Sequence, residues 1–385
     1  MTQKSVRVYL PNLNGLRFLA CMVVIVTHTE MIKWVYGMEN YYTEGLKRFG
    51  HLAVISFFVL SGYLITYLLM IEKAKKGDIS IKNFYMRRIL RIWPLYFFTI
   101  LLGLFVWPLI PFFEVPGQAP MSDVNFWYMA ALYLLILPNI AVKIFQPSPV
   151  PLLGPSWSIG VEEQFYFMWP WLVKKSKNIL TSLWGVIIVY NVMLLVFYLL
   201  IKQNIGGESI QIARSVWENF CISSMAIGGL FAWLKYKNKE QILQKIMHPL
   251  VDKLSYLVFF GLVVLGVRFP LFHSEIYSVL FSVMILNLSS NPKSFVNMEN
   301  KFFNYMGKIS YGIYMFHILS IFVIFKLFKG FFEGWPHQLV SVFVIILSTG
   351  FVTIISTLTF HYLEEPLLKM KSKFSSIISG DMAKK

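Results

Sequence analysis

The stretch LNGLRFLACMVVIVTHTE, residues 13–30, reads as a membrane-spanning helix that carries ionisable side chains. Arg17 and His28 stand about three helical turns apart, with only roughly 20° of rotation left over. They therefore share one stripe of the helix but lie roughly 16.5 Å apart along its axis, too far to touch. A charge at the centre of a span costs roughly 2.5–3.5 kcal/mol on insertion scales. Such a stripe is expected to line an internal polar path.

The composition excludes a soluble fold. The chain has 385 residues, of which 57% are hydrophobic and 14% charged, and its mean hydropathy is +0.61. Soluble domains have about a quarter charged residues, so this chain lacks the charge to cover a water-facing surface. Its 17% of aromatic residues also exclude a disordered chain. The net charge of +16 would suit nucleic acid, but the chain is too apolar for a soluble nucleic-acid-binding domain, so no nucleic-acid partner is expected.

A helix needs about 20 mostly apolar residues to cross a bilayer. Apolar stretches of about this length recur along the whole chain. They lie near 14–35, 52–72, 88–110, 126–140, 157–173, 180–201, 214–235, 253–269, 275–290, 304–328 and 338–361. The stretch 126–140 is short and is followed by a proline-rich run, 146–155. If it does not cross and the N-terminus is cytoplasmic, most of the 35 lysines and arginines fall on the cytoplasmic side, as the positive-inside bias requires.

The sequence therefore predicts an all-α integral membrane protein with about ten transmembrane helices, plus a re-entrant or interfacial segment inside the external region 111–156. We expect one membrane domain, 1–369, and a polar cytoplasmic tail, 370–385, with both termini cytoplasmic and anionic lipids at the basic inner face. The first apolar run lacks a cleavage site of small residues, so we expect a retained helix. Cys21 and Cys221 lie in apolar runs without ligand spacing, so no metal site is predicted.

Two arginines open the third predicted span, FYMRRILRIWPLYF. Arg88 and Arg91 are one helical turn apart and share a face at the cytoplasmic boundary. Composition alone favours positive-inside anchors. The alternative is a guanidinium pair that grips phosphates through paired hydrogen bonds.

Two adjacent carboxylates begin the span PSWSIGVEEQFYFMWPW. Glu162 and Glu163 are about 100° apart on a helix, so only one of them can face a given cavity. A hydrogen bond from His28 to such a carboxylate is the use we expect. Thr27, Thr29 and Glu30 are polar neighbours of His28 in the sequence. Spacing alone nevertheless favours neither a structural nor a catalytic role for this histidine.

Further polar side chains occur late in the chain. The stretch ISYGIYMFH places Ser310, Tyr311, Tyr314 and His317 within two helical turns. The last span ends with FHYLEEP, where Pro366 closes the helix. His361 and Glu364 then lie at the cytoplasmic boundary, where a solvated end-capping role is favoured.

Taken in order, these motifs resemble the membrane acyltransferase 3 family, multispan O-acyltransferases that modify bacterial cell-surface glycans. The resemblance runs from about Asn12 to Pro366. It rests on the Arg17 and His28 spacing, FFVLSGYLIT (57–66), RRILRIWPLYF, WSIGVEEQFY, SYGIYMFH and the final Glu364-x-Pro366. Asn14 stands where the family commonly has aspartate, so a hydrogen bond to Arg17 is expected in place of a salt bridge.

The resemblance implies a bacterial inner-membrane enzyme that moves an acyl group, acetyl first among the candidates, from acyl-CoA to a glycan or lipid-linked sugar. Acyl-CoA is then a donor substrate, with no permanently bound cofactor. The expected catalytic residues are His28 and Glu162, and the expected acyl-CoA-binding residues are Arg17, Arg88 and Arg91. The expected substrate-binding residues are Trp157, Ser158, Glu30, Tyr311 and His317.

Two routes and one rival function stay open at this point. His28 acts either as general base on the acceptor hydroxyl or as a nucleophile that is itself acylated. The rival is a polytopic transporter or flippase for an envelope glycan or a lipid-linked intermediate. Repeated halves with matching broken helices would indicate such a transporter, and the sequence has neither.

Overall fold

The computed structural model describes residues 6–269, 271–375 and 377–379, and most of them are helical. The long helices are α1 (Leu13–Val35), α2 (Glu44–Lys76), α3 (Ile81–Leu101), α6 (Ser156–Lys175), α7 (Ile179–Lys202), α9 (Ile222–Tyr236), α11 (Pro249–Val264), α12 (His273–Ser290), α14 (Ser310–Phe328) and α15 (His337–Thr359). The shorter ones are α4 (Phe126–Leu134), α5 (Pro138–Ile144), α8 (Gly207–Phe220), α10 (Glu240–Ile246), α13 (Lys301–Lys308) and α16 (Glu365–Met370). Strands β1 (Val6–Val8) and β2 (Ile377–Ser379) complete the fold.

Six helical stretches of the described chain are long and apolar enough to cross a membrane. They begin with α1, α2, α3, α7, α14 and α15, and the pair α10 and α11, bent by 54°, brings the number to seven if it counts as one crossing. The prediction of an all-α membrane protein is therefore confirmed. The count of about ten is not, because the remaining predicted crossings are helices that are shorter or more polar.

The stretch 126–140 does not form a crossing helix. It divides into α4, with 9 residues, and α5, with 7, and neither is long enough to span a bilayer. Ile136 lies between them in the left-handed region, with φ 61°, and interrupts the helix. The prediction of a re-entrant or interfacial segment fits this geometry, and α5 packs against α6.

Two other predicted spans are divided in the structure. The stretch 214–235 is broken at Cys221, whose φ is 43°, so its first part belongs to the amphipathic α8, which has no buried residue. The stretch 304–328 is broken at Ile309, between α13 and α14. A hydrophobicity window averages over one residue with a non-helical backbone, which is why the sequence merged these helices.

Helix α2 lies at the centre of the bundle and packs against α1, α6, α9 and α12. Its contact with α9 is backbone to backbone. A Cβ added at Gly62 would overlap the carbonyl oxygen of Met225, and one added at Gly228 would overlap that of Val59. Small residues at such crossings let membrane helices approach closely and associate by van der Waals contact.

Gly62→Ala is expected to destabilise the protein by about 1–3 kcal/mol or more, because the new methyl group must push α9 away from α2. The measurement is the thermal unfolding midpoint of purified protein in mild detergent. Gly185→Ala in α7 is the control, since nothing lies within 4 Å of its added Cβ. An equal effect of the two substitutions would contradict this account of the α2–α9 contact.

The described ends of the chain meet in a short parallel sheet. Val6 pairs with Ile377 and Val8 with Ser379, which places β2 beside the segment that leads into α1. Arg87 of α3 donates to the carbonyl of Phe374 at 2.8 Å and is paired with Glu72 at 2.9 Å. Residues 371–374 of the predicted tail therefore pack against α3, and 377–379 pair with β1, whereas 376 and 380–385 lie outside the described residues. The domain boundaries remain a prediction.

Candidate active site

A cavity of about 520 Å³ opens beside the first turns of α1, between α1, α2, α3, α6, α14 and the C-terminal segment. We call it the basic cavity, after its charged lining. Its cationic side chains are Arg17, Arg88, Arg91, Lys308, Lys369 and Lys371. Its carboxylates, within the described part of the chain, are Glu162 and Glu365. Apolar side chains such as Phe57, Leu60 and Leu64 of α2 line the remainder.

Arg17 is held at the start of α1 by its own helix and by α13. Its Nη1 donates to Asn14 Oδ1 at 3.1 Å, so the expected hydrogen bond is confirmed. Helix α13 packs tightly here, because a Cβ added at Gly307 would overlap the backbone of Asn14. The start of α1 is therefore fixed from both sides, and the guanidinium is held at the cavity wall.

Arg88 and Arg91 both face the basic cavity. The Arg88 guanidinium lies over the rings of Tyr166, at 5.4 Å, and Phe84, at 5.7 Å, and its buried Nε has no hydrogen-bond partner among the described residues. Arg87, by contrast, points away to its ion pair with Glu72. Guanidinium groups that line a cavity favour anion binding over simple anchoring at the membrane boundary.

The two adjacent carboxylates of α6 point to different surroundings, as their spacing predicts. Glu162 lines the cavity and accepts hydrogen bonds from Ser61, at 2.6 Å, and Tyr166, at 3.1 Å. Glu163 accepts instead from the indole of Trp93 at 3.0 Å. Neither of these bonds reaches His28, so the expected Glu162–His28 pair is not formed. The structure places Glu162 at the cavity wall instead.

Tyr311 and Ser158 also line the cavity. The sequence predicts both of them to bind substrate. The Tyr311 hydroxyl donates to the carbonyl of Ile92 at 2.9 Å, which ties α14 to α3. The Ser158 hydroxyl donates to the Tyr314 hydroxyl at 2.8 Å, which ties α6 to α14. Both bonds position the helices that enclose the basic cavity.

His28 does not line the cavity, but a series of residue contacts connects it to this wall. Tyr314 contacts Ser158 through its hydroxyl, and its carbonyl lies 2.6 Å from Nδ1 of the buried His317. His317 Nε2 lies 3.0 Å from Nδ1 of His28, which is half-buried. His317, predicted to bind substrate, is therefore the direct partner of the candidate catalytic histidine.

This geometry fixes the tautomers of a neutral histidine pair. A carbonyl only accepts, so His317 Nδ1 carries the proton that it donates to Tyr314. His317 Nε2 is then the acceptor, and His28 Nδ1 donates to it. His28 Nε2 is left without a proton, which is the form of imidazole that acts as a base or a nucleophile.

The sequence model of the family described as "Acyltransferase domain" matches residues 10–361, which include His28, His317 and most of the residues that line the basic cavity. The chain belongs to this acyltransferase family. No solved structure matches the chain.

Curated relatives of this acyltransferase are named as O-acetyltransferases. SACOL0978 of Staphylococcus aureus strain COL, named as a candidate O-acetyltransferase, is 25% identical over 94% of this chain and 58% of its own length. O-acetyltransferase OatA of Staphylococcus aureus strain NCTC 8325 is 25% identical over 94% of this chain and 57% of its own length. The chain thus spans less than two thirds of the relatives that it matches.

Glu30 lies outside the cavity of this acyltransferase, in a buried ion pair with Lys33 at 3.2 Å. It also accepts from the Ser341 hydroxyl at 2.5 Å and the Tyr41 amide at 2.7 Å. Lys33 in turn donates to Ser341 at 2.6 Å and to the carbonyl of His337 at 3.1 Å. These contacts join α1 to α15 and favour a structural role for Glu30 over the predicted substrate contact.

Glu30→Gln is expected to destabilise the acyltransferase by about 3–5 kcal/mol, because it leaves the Lys33 charge buried without its carboxylate. Thermal unfolding in detergent measures the effect. Glu218→Gln is the control: it removes a carboxylate from the half-exposed pair with Arg214, which is worth about 1 kcal/mol or less. A Glu30 variant as stable as the Glu218 variant would show that the buried pair does not hold α1 on α15.

Trp157, Glu364 and His361 are the remaining residues for which the sequence predicts a role. Trp157 stacks on His51 with ring centroids 6.2 Å apart and is not among the residues that line the cavity, although its neighbour Ser158 is. The prediction of a solvated Glu364 is wrong: this residue is 3% exposed, and its Oε1 has no hydrogen-bond partner in the described structure. The π-helical turn Phe360–Glu364 adds a residue to the helix and turns this side chain inward. His361 is half-exposed and pairs with Glu365 at 2.8 Å.

Proposed function

We propose that the chain is a membrane O-acetyltransferase that moves an acetyl group from acetyl-CoA to a hydroxyl group of a cell-surface glycan or a lipid-linked sugar. Membership of the acyltransferase family and the names of the relatives support the reaction class. The observation that carries the proposal is the set of contacts that links Ser158 of the basic cavity, through Tyr314 and His317, to His28.

The basic cavity is the donor site in this proposal. Arg17, Arg88 and Arg91 present guanidinium groups, which match phosphate oxygens bidentately. The apolar side chains of α2 then suit the pantetheine arm and the acyl group. A donor with an anionic head and a mostly apolar, flexible arm thus meets complementary chemistry along the cavity.

His28 performs the transfer. Its unprotonated Nε2 takes the proton of the acceptor hydroxyl as the oxygen attacks the thioester carbonyl, the C–S bond breaks, and the proton passes to the leaving thiolate. In the acyl-histidine route, Nε2 attacks the thioester carbonyl, the C–S bond breaks and the coenzyme A thiolate leaves. The acceptor hydroxyl then attacks the acyl-imidazole, the N–C bond breaks and the hydroxyl proton passes to the thiolate, so the products are the same. In both routes, His317 positions His28 and holds its proton on Nδ1.

We place the protein in the bacterial inner membrane, with both termini and the basic cavity on the cytoplasmic side. The β1–β2 pair supports termini that share one side. The last turns of α2 and α6 carry Lys73, Lys75, Lys76, Lys174 and Lys175, and Lys73 donates to carbonyls at the end of α6, so these cations cluster. Such a cluster suits the cytoplasmic face and its anionic lipids.

The test is acetyl transfer by the purified full chain in lipid nanodiscs. Acetyl-CoA labelled in the acetyl group is incubated with glycan fragments released from bacterial cell walls, and labelled ester is counted. The proposal expects labelled ester and an equal amount of free coenzyme A. Absence of both, with correctly folded protein, would refute the proposed reaction.

A further inference from the structure

The segment after the last long helix forms part of the basic cavity. Residues 365–375 and 377–379, which we call the C-terminal strap, comprise α16, the turn Lys371–Phe374 and β2. Glu365, Leu368, Lys369 and Lys371 of the strap all line the cavity. Glu365, Leu368 and Lys369 have the i, i+3, i+4 spacing of one helix face, and Lys371 follows in the next turn.

The strap is fixed over the cavity at two points. Arg87 of α3 holds the carbonyl of Phe374, and β2 pairs with β1, whose last residue Val8 also lines the cavity. Behind β1, the Tyr9 hydroxyl donates to Glu299 at 2.7 Å. The strap is thereby tied to the wall that carries Arg88 and Arg91.

Lys371 stands among like charges. Lys371 lines the same cavity as Arg17, Arg88 and Arg91, and like charges that share a cavity repel one another. Among the described residues, no carboxylate forms an ion pair with Lys371. Positive charges that converge from α1, α3 and the strap are stabilised together when one multiply charged anion lies between them.

We propose that the C-terminal strap completes the binding site for the phosphate groups of the acyl-CoA donor, with the Lys371 ammonium as a direct phosphate ligand. This inference rests on the proposed function. Lys369 and Lys308 flank the same site and add to its positive potential. The strap is therefore a part of the donor site that follows the last span in the sequence.

The test compares Lys371→Gln with Lys373→Gln, which removes the same charge from an exposed position of the same turn. Steady-state transfer is measured with acetyl-CoA and with the N-acetylcysteamine thioester, which carries the acetyl group but no phosphate. A lost charge-assisted contact is expected to raise the KM for acetyl-CoA about tenfold or more in Lys371→Gln, with little change in kcat. Lys373→Gln is expected to match the wild type, and Lys371→Arg to restore most of the affinity.

The outcomes separate this inference from the proposed function. If the wild type transfers acetyl groups from acetyl-CoA while Lys371→Gln and Lys373→Gln share the wild-type KM, the strap is not a phosphate site and the proposed function stands. An equal loss with both thioesters would overturn the inference too, because it would indicate a general distortion. If the wild type consumes no acetyl-CoA, the proposed function and this inference fall together. Protection of the wild type, but not of Lys371→Gln, from thermal unfolding by free coenzyme A gives a second readout.

Discussion

His28→Gln is expected to lower kcat for acetyl transfer by roughly 10²–10⁴-fold, because glutamine cannot take a proton from the acceptor hydroxyl or carry the acetyl group. Transfer of labelled acetyl from acetyl-CoA to cell-wall glycan fragments measures the effect. KM for acetyl-CoA should change little, since the basic cavity is intact. A His28,His317 double variant should be no slower than His28→Gln, because His317 acts through His28.

His248→Gln is the matched control for this prediction. His248 is exposed and caps the start of α11, far along the sequence from either residue of the pair. The His248→Gln variant should transfer acetyl groups at the wild-type rate. If His28→Gln retained near-normal turnover in folded protein, His28 would not be the catalytic residue.

Arg88→Gln combined with Arg91→Gln is expected to raise the KM for acetyl-CoA by roughly 10²-fold or more. Each lost charge-assisted contact is worth about 1.5–3 kcal/mol, and every 1.4 kcal/mol is about tenfold in affinity. The thioester without phosphates should be affected much less, because it has no group for these guanidiniums to bind. Steady-state kinetics with the two donors measures the difference.

Arg214→Gln serves as the control for the arginine pair, since Arg214 forms a half-exposed pair with Glu218 on α8. The acetyl-CoA KM of this variant should equal that of the wild type. An unchanged KM in the Arg88,Arg91 double variant would mean that the basic cavity does not hold the donor phosphates, and that the two arginines are membrane-boundary anchors.

Local sequence patterns predicted what depends on a single helix. The spacing of Arg17 and His28 predicts one helix stripe, and the adjacent Glu162 and Glu163 diverge as a helix requires. The Asn14–Arg17 hydrogen bond, expected from the family resemblance, also lies within a single helical turn. These features are set by helix geometry, which neighbouring helices leave unchanged.

Features that depend on how helices meet were not predictable in the same way. The partner of His28 is His317, on α14, and no local pattern relates two residues so far apart in the chain. Likewise, Glu30 was expected to accompany His28 but is engaged by Lys33, one turn further along α1, and by Ser341 of α15. Glu364 was expected in solvent because it lies at the predicted cytoplasmic boundary, whereas the structure buries it within a π-helical turn.

Transfer across a sealed membrane is the most direct test of the central claim, that one path joins the basic cavity to His28. Purified protein is reconstituted in sealed vesicles with cell-wall glycan fragments trapped inside and labelled acetyl-CoA outside. The account predicts labelled ester on the trapped fragments with wild-type protein, and none with His28→Gln. Label found only on fragments supplied on the same face as the acetyl-CoA would contradict it.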